Sequence, residues 1–181
     1  MEEKYRSVGI SDIDEPICHR KYAAQAIKGI VELGILSGYT TKILLESSHV
    51  TVYGIDPIIP DSMDENLIGD INRIHELQNN YDRFAFIKDY SYNVAPTWNK
   101  EFDYLFIDAN HHYESVKNDF ECWFTLLSEG GVVSLHDSAA NRGGPHWWEG
   151  PSKLADNLIN DPRVEYLETI GTMTVFRKIA L

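Results

Sequence analysis

Cysteine is scarce in this 181-residue chain: Cys18 and Cys122 are its only two. That is too few for a disulfide framework, and they lack the C-x-x-C spacing of a zinc site or redox pair, so both read as reduced thiols. Positive charge is short as well, with 16 Lys and Arg against 28 Asp and Glu for a formal net charge of −12. A field of that sign opposes nonspecific binding to a phosphate backbone, and nucleic acid is not expected as a partner. Long apolar runs are missing too. No stretch approaches the roughly 20 apolar residues that span a bilayer. The opening MEEKYRSVGISDIDEP is charged and polar, without the apolar segment of a secretory signal. The expectation is a cytoplasmic protein with no membrane partner. Neither repeats nor a Pro/Gly/Ser-rich linker divide the chain, so one domain over residues 1–181 is the simplest organisation.

What is present is 43% hydrophobic and 24% charged sequence, enough to bury a substantial core. Short apolar runs alternate with longer segments of helical periodicity. The runs are GIVELGI (29–35), TVYGID (51–56), FAFIKD (84–89), FDYLFIDA (102–109) and GGVVSLHD (130–137). Apolar side chains on both faces of such runs suit a parallel sheet covered by helices on both sides. Between them, Ser62 and Glu65 have capping-box spacing ahead of an apolar face of Leu67, Ile68, Ile71, Ile74 and Leu77. Tyr113, Val116, Phe120, Trp123, Phe124 and Leu127 mark another helix, stopped by Gly130 and Gly131. Pro151 opens a third, carrying Leu154, Leu158 and Ile159, and Pro16 to Lys28 reads as a fourth. In the tail, VEYLETI (164–170) and MTVFRKI (173–179) are separated only by Gly171 and Thr172, which is hairpin spacing. The predicted class is α/β: a doubly wound, mostly parallel seven-stranded sheet with an antiparallel C-terminal hairpin. Residues 1–28 form its N-terminal helical segment, 29–137 a cofactor-binding core, and 138–181 a substrate loop, a helix and the hairpin.

VELGILSGYTT (31–41) runs from strand through a Gly-containing turn into a helix. Ligands of open α/β sheets bind at the carboxyl ends of the strands, where Gly34 and Gly38 would let backbone amides approach. The spacing is G-x-x-x-G behind an acid, Glu32, and not the G-x-G-x-x-G of a dinucleotide site, which turns the expectation away from NAD. An E-x-G-x-x-x-G of this form resembles the first motif of class I S-adenosylmethionine-dependent methyltransferases, which have a Rossmann-like fold. The similarity continues along the chain. FIDANHHYESVKNDF and GGVVSLHD look like the fourth- and fifth-strand motifs of a subfamily that includes macrolide sugar O-methyltransferases and relatives of cephalosporin-biosynthesis enzymes. Against its usual F-I-D-G-D-H-S-Y-E form, Asp108, His111, Tyr113 and Glu114 match while Asn110 replaces an acid. This resemblance, covering roughly Ile30 to Asp137, implies S-adenosylmethionine as cofactor. It implies Glu32, Gly34, Gly38, Asp56, Asp89, Tyr90 and Asp108 as the residues around it, with Asp56 toward the ribose and Asp89, Tyr90 and Ser91 near the adenine. Local alternatives stand beside it: Glu32 can cap a backbone group, and Asp56 can be a turn former before Pro57. A side chain at Gly34 is expected to block the cofactor by filling space that the ligand needs.

Methyl transfer from a sulfonium is an in-line displacement, helped by positioning and by whatever takes the proton of the acceptor. Asp108, His111, His112, His136 and Asp137 fall at the carboxyl ends of strands four and five. Two chemistries remain open there. In one, Asp108 and Asp137 hold Mg²⁺, as the resemblance to metal-dependent catechol and sugar O-methyltransferases implies. Those enzymes carry an Asp-Asn or another acidic pair at the fifth strand where this chain has His136-Asp137, and imidazole ligands shift the preference toward a transition metal. In the other, Asp108 works with His111 or His136 as general base, and His112 begins the next helix in solvent. The following loop, SAANRGGPHWWEGP (138–151), offers His146, Trp147 and Trp148 to stack on a planar or sugar-like acceptor or to cover the core edge. Arg142 in the same loop can meet an anionic substrate group or a surface acid.

The leading expectation is methyl transfer to a hydroxyl of a small molecule, with a sugar among the candidates. The crevice would stand open or be completed by the N-terminal segment or by a second copy in a homo-oligomer. An NAD-linked oxidoreductase on a related fold is the first alternative, disfavoured by the missing G-x-G-x-x-G. A non-catalytic cofactor-binding protein is the second, motivated by Asn110 and His136.

Overall fold

The computed structural model describes residues 14–59, 67–143 and 148–180. Five of the apolar runs become the parallel strands β1 (Ile30–Leu33), β2 (Val52–Ile55), β3 (Phe84–Ile87), β4 (Tyr104–Ile107) and β5 (Val132–Leu135). The tail forms β6 (Val164–Ile170) and β7 (Met173–Lys178), which pair antiparallel to each other and, through β7, to β5. The strand order is β3-β2-β1-β4-β5-β7-β6. Register keeps the parallel strands level: Leu33 lies opposite Ile55 and Ile107, and Ile107 opposite Leu135. The segments that follow β1, β2, β4 and β5 therefore leave from one rim. Because β2 lies on one side of β1 and β4 on the other, the order reverses at β1, the place where open α/β sheets form a ligand crevice.

Strand alternation decides which layer each side chain meets. Val31, Leu33, Leu105, Ile107, Val133 and Leu135 pack under α5 (Tyr113–Phe124) and α6 (Glu149–Leu158). Ile30, Tyr104, Phe106 and Val132 face the opposite layer of α1 (Asp14–Ala23), α2 (Tyr39–Ser47) and α3 (Leu67–Asn80). No helix among the described residues is long and apolar enough to cross a membrane.

Three boundaries differ from the sequence expectation, the first being α6, which starts at Glu149, ahead of Pro151, and ends at Leu158 with Ile159 as its cap. Helix α1 ends at Ala23 and not at Lys28, because the Asp103 carboxylate takes the amides of Ile27 (2.9 Å), Lys28 (3.2 Å) and Gly29 (3.4 Å) and feeds an extended chain into β1. Helix α5 stops at Phe124, where the amides of Leu126 and Leu127 both turn onto the Trp123 carbonyl. A short helix, α4 (Ser91–Val94), and a 3₁₀ turn at Ala95–Thr97 are too brief to show periodicity in sequence. The Ser62–Glu65 cap lies outside the described residues.

Trp123, fully buried, meets Trp98 and Phe102 edge-on at centroid distances of 5.0 and 6.0 Å. Truncating so large a side chain costs about 3–5 kcal/mol through lost burial and a residual cavity. Trp123→Ala should lower the urea midpoint accordingly with an unchanged slope; a loss below about 1 kcal/mol would show that the site collapses around the gap.

Candidate active site

The turn after β1 is built on a left-handed backbone. Gly34, Leu36 and Gly38 have φ of 85°, 49° and 72°. Asp56, just past β2, braces this turn: its Oδ2 accepts the amides of Ile35 (2.7 Å) and Leu36 (3.1 Å), and its Oδ1 accepts that of Ile58 (2.7 Å). Those bonds hold Leu36 in a conformation that costs an ordinary residue about 1–3 kcal/mol, a strain typical of ligand sites. Glu32 lies beneath the turn, 1% exposed, its Oε2 accepting the Thr41 hydroxyl at 2.7 Å. Burial raises its pKa to about 8, so near neutral pH this carboxyl is mostly protonated. A Cβ on Gly34 would collide with the Asp108 carbonyl oxygen and come within 2.9 Å of the Ala109 Cα. A side chain at Gly34 therefore meets the β4 tip before any ligand is considered.

The segment from Asp108 to His112 is held from the other side as well. A Cβ on Gly150, in the first turn of α6, would collide with the His111 carbonyl oxygen and lie 2.7 Å from the Tyr113 nitrogen. Between these contacts the Asn110 Oδ1 accepts the His112 amide at 2.8 Å. This gives the Asn that departs from the family pattern a local role in turning the chain into α5. His112 stands exposed just before that helix.

Chemistry-bearing side chains converge here. The His136 Nδ1 lies 3.1 Å from Asp108 Oδ1 and 3.5 Å from Asp137 Oδ2; the His111 Nε2 lies 3.6 Å from Asp108 Oδ1 and 3.2 Å from Asp137 Oδ2. Asp108, His111 and His136 each offer one ligand atom, all within 4.8 Å of one another. Asp108 and His136 continue the alternation of β4 and β5 toward the α1 layer. Asp137 would point to the opposite face, but its φ of 49° breaks the extended pattern, and its carboxylate reaches both imidazoles.

Helix α1 supplies a residue that sequence reasoning missed. Glu15 Oε2 is 3.5 Å from His136 Nε2, and its Oε1 accepts the Thr172 hydroxyl from the β6–β7 turn at 2.6 Å. Burial disfavours a charged imidazole at 136, but Asp108, together with Asp137 and Glu15, overcomes it and holds this group well above its ordinary pKa. Burial likewise opposes the charge on Asp137, yet His111 and His136 pull its carboxyl far below the usual range. One turn along α1, His19 is 3% exposed and meets Phe106 edge-on at 4.5 Å; burial lowers its pKa to about 3. The signal that could have found Glu15 and His19 is their i, i+4 spacing on one face of α1.

The remaining candidates are spread along the rim. Asp89 is exposed and accepts the Tyr90 amide (2.7 Å) and the Asn93 side chain (2.8 Å), and Tyr90 stacks on Tyr92 at 5.2 Å. The Ser91 hydroxyl bonds the Asp119 carboxylate on α5. Trp148 stacks on His111 at 4.7 Å and borders a cavity of about 450 Å³ with Asn141, Glu149, Ser152, Lys153 and Asp156. Arg142 is an internal clamp on Asp156, Thr174 and the Ser138 carbonyl. His146 and Trp147 lie outside the described residues.

A family model described as a methyltransferase domain matches residues 31–138. Uncharacterized protein R132 of Acanthamoeba polyphaga mimivirus is 27% identical over 134 residues, 71% of this chain and 59% of that protein; the chain thus spans less than two thirds of its length. Among solved structures, the SAH-bound methyltransferase PaMTH1 of Podospora anserina superposes with a TM-score of 0.69 at 18% identity, covering 92% of this chain and 78% of the other. The SAM-bound O-methyltransferase TomG of Streptomyces achromogenes, involved in tomaymycin synthesis, gives 0.67 at 18% identity, with 95% and 82% covered. These structural likenesses are of fold.

Two expectations follow from the geometry. An unfolded glutamate releases its proton near 4.5, whereas folded Glu32 keeps it to about pH 8. The stability this group contributes is complete below pH 4.5 and is lost as pH rises through 8, with a slope approaching about 1.4 kcal/mol per pH unit. Glu32→Gln should match the parent near pH 5 and exceed it progressively toward pH 9 in urea unfolding; parallel curves would remove Glu32 as the titrating group. Gly150→Ala should destabilise by about 1–3 kcal/mol through overpacking, although the change favours a helix elsewhere. A stabilised variant would contradict the contact with His111.

Proposed function

The chain belongs to the methyltransferase-domain family, and from that premise we propose that it transfers a methyl group from S-adenosylmethionine to a hydroxyl of a small molecule, a sugar-like ring being the acceptor that best suits its cavity. The supporting observation is the contact between Gly34 and the Asp108 carbonyl, which joins the glycine turn directly to the His/Asp cluster. A cofactor on that turn would place its reactive end against the groups able to handle a proton.

When bound, S-adenosylmethionine supplies an electrophilic methyl on a sulfonium. The residues fit it unevenly. Asp89 and Tyr90 are exposed at the rim where an adenine would lie. Asp56 already accepts three amides and would share its remaining lone pairs with a ribose. Glu32 acts from below, fixing α2 through Thr41, while Gly34 and Gly38 give the turn its left-handed path.

Asp108, with 29% of its side chain exposed, faces the crevice and takes the proton of the acceptor hydroxyl, with the His111 imidazole 3.6 Å away beside it. Asp137, 8% exposed, orients His111 from behind, and Trp148 covers the face of that ring. His136 faces carboxylates from both ring nitrogens, which makes it an orienting group for Asp108 and Asp137. Beside Trp148, the cavity offers an aromatic face with an amide, an ammonium and carboxylates around it, the mixture that a hydroxylated ring uses. Magnesium on Asp108 and Asp137 fits poorly. The compact donor group holds two imidazoles, whereas that cation takes oxygen ligands and water.

The test is calorimetric binding of S-adenosylhomocysteine, followed by methyl transfer to a panel of sugars, catechols and amines. Asp108→Asn should keep S-adenosylhomocysteine affinity within a few-fold and lower transfer by about 10²–10⁴-fold, the range for a lost proton-transfer group. Full activity in that variant would displace Asp108 from the chemistry, and transfer to amines alone would overturn the hydroxyl acceptor.

A further inference from the structure

We infer that Asp108, His111 and His136 form a binding site for a borderline transition-metal dication of the zinc or cobalt type, and that this site discriminates against magnesium. The inference deepens the methyltransferase reading by naming the cation class of the same crevice, but it is tested through binding alone.

Spacing is the first argument. Bonds of about 2.1 Å at tetrahedral angles separate ligand atoms by about 3.4 Å, whereas an octahedral magnesium shell places neighbours about 3.0 Å apart. The Asp108 Oδ1 is 3.6 Å from His111 Nε2 and 3.1 Å from His136 Nδ1. Asp137 Oδ2 is 3.2 and 3.5 Å from the same two nitrogens. The two Asp108 separations straddle the tetrahedral edge, and the three ligand atoms lie within 4.8 Å of one another. Three protein ligands with one further position is also the usual form of a zinc site that keeps a place for water or substrate.

Donor chemistry is the second argument. Imidazole nitrogen suits zinc, cobalt and copper, while magnesium selects oxygen. Related metal-dependent enzymes carry an acid where this chain has His136, so the substitution changes the donor set and not merely its charge.

Unmet polar atoms are the third. Asp137 is 8% exposed, and its Oδ1 is buried without a hydrogen-bond partner, as is the His136 Nδ1. Leaving such atoms unpaired is costly. Glu15 adds another carboxylate at 3.5 Å from His136, so three carboxylates surround two imidazoles. A dication held by Asp108, His111 and His136 answers the charge and, once the ring has given up its proton, gives the His136 Nδ1 a partner.

The experiment titrates chelator-treated full chain with Co²⁺ and follows visible absorption, with thermal unfolding in Zn²⁺ or Mg²⁺ and S-adenosylhomocysteine calorimetry alongside. Expected are the intense visible bands of four-coordinate Co²⁺, their loss on adding Zn²⁺, and a higher Tm with Zn²⁺; millimolar Mg²⁺ should do neither. His111→Ala should weaken Co²⁺ at least tenfold, His136→Glu should weaken Co²⁺ tenfold while conferring a Mg²⁺-dependent rise in Tm, and His112→Ala should change nothing. Folded protein with no Co²⁺ spectrum, displacement by equimolar Mg²⁺, or an unaltered spectrum in His111→Ala would each overturn the site. S-adenosylhomocysteine binding without Co²⁺ binding removes the metal and leaves the methyltransferase reading; the converse removes that reading and leaves the metal.

Discussion

Two backbone contacts without intervening side chains fix the segment from Asp108 to His112, and the geometry of the crevice depends on both. Gly34 presses on the Asp108 carbonyl from the β1 turn, and Gly150 presses on the His111 carbonyl from α6. Any Cβ at either position would collide with a carbonyl oxygen and force the segment that carries the acids and imidazoles to shift. Proteins tolerate glycine's entropic cost where such close approach is needed. Here the approach links the turn at the topological switch point to the groups of β4 and β5, so a shift in one is felt in the other.

The same segment is governed by charge. Four carboxylates, Glu32, Asp56, Asp108 and Asp137, lie near the tips of adjacent strands, and Glu15 adds another from α1. Each is handled differently. Glu32 is sealed and raised in pKa until it is mostly neutral, Asp56 is spent on backbone amides, and Asp137 and Glu15 face imidazoles. Mutual repulsion is thereby dissipated without removing the acids. Asp108 retains the exposure that lets it meet a ligand.

Much of the architecture was legible because its signals are local and repeated. Short runs that are apolar on both faces suit strands buried between layers, and the two residues between the last runs leave no room for a crossover. The Asp108–His111 motif and the acid and glycines of the first turn could likewise be found along the chain. What escaped notice was nonlocal. Glu15 reaches His136 from far away in sequence, Gly150 matters only because α6 folds against β4's loop, and Asp103 ends α1 by capturing three amides across the sheet. The role of Asp137 needed a left-handed φ, which alternation along a strand could not foresee.

Histidine at position 136 is best understood through α1. A carboxylate there would face Asp108 and Asp137 at 3.1 and 3.5 Å and Glu15 at 3.5 Å, four like charges around one point, with Coulomb penalties of several kcal/mol per pair at the effective dielectric of a partly buried site, about 20. Imidazole converts those repulsions to attractions, with carboxylates facing both of its nitrogens. It also explains why Glu15 can sit where it does: docking α1 brings a negative charge onto the site, and only a donor at 136 makes that docking favourable. Thr172 fixes the other oxygen of the same carboxylate, so the β6–β7 turn, α1 and the β5 tip are joined through one side chain. Glu15 on α1 and His136 at the β5 tip are thus coupled, the carboxylate supporting the imidazole and the imidazole the docking of the helix.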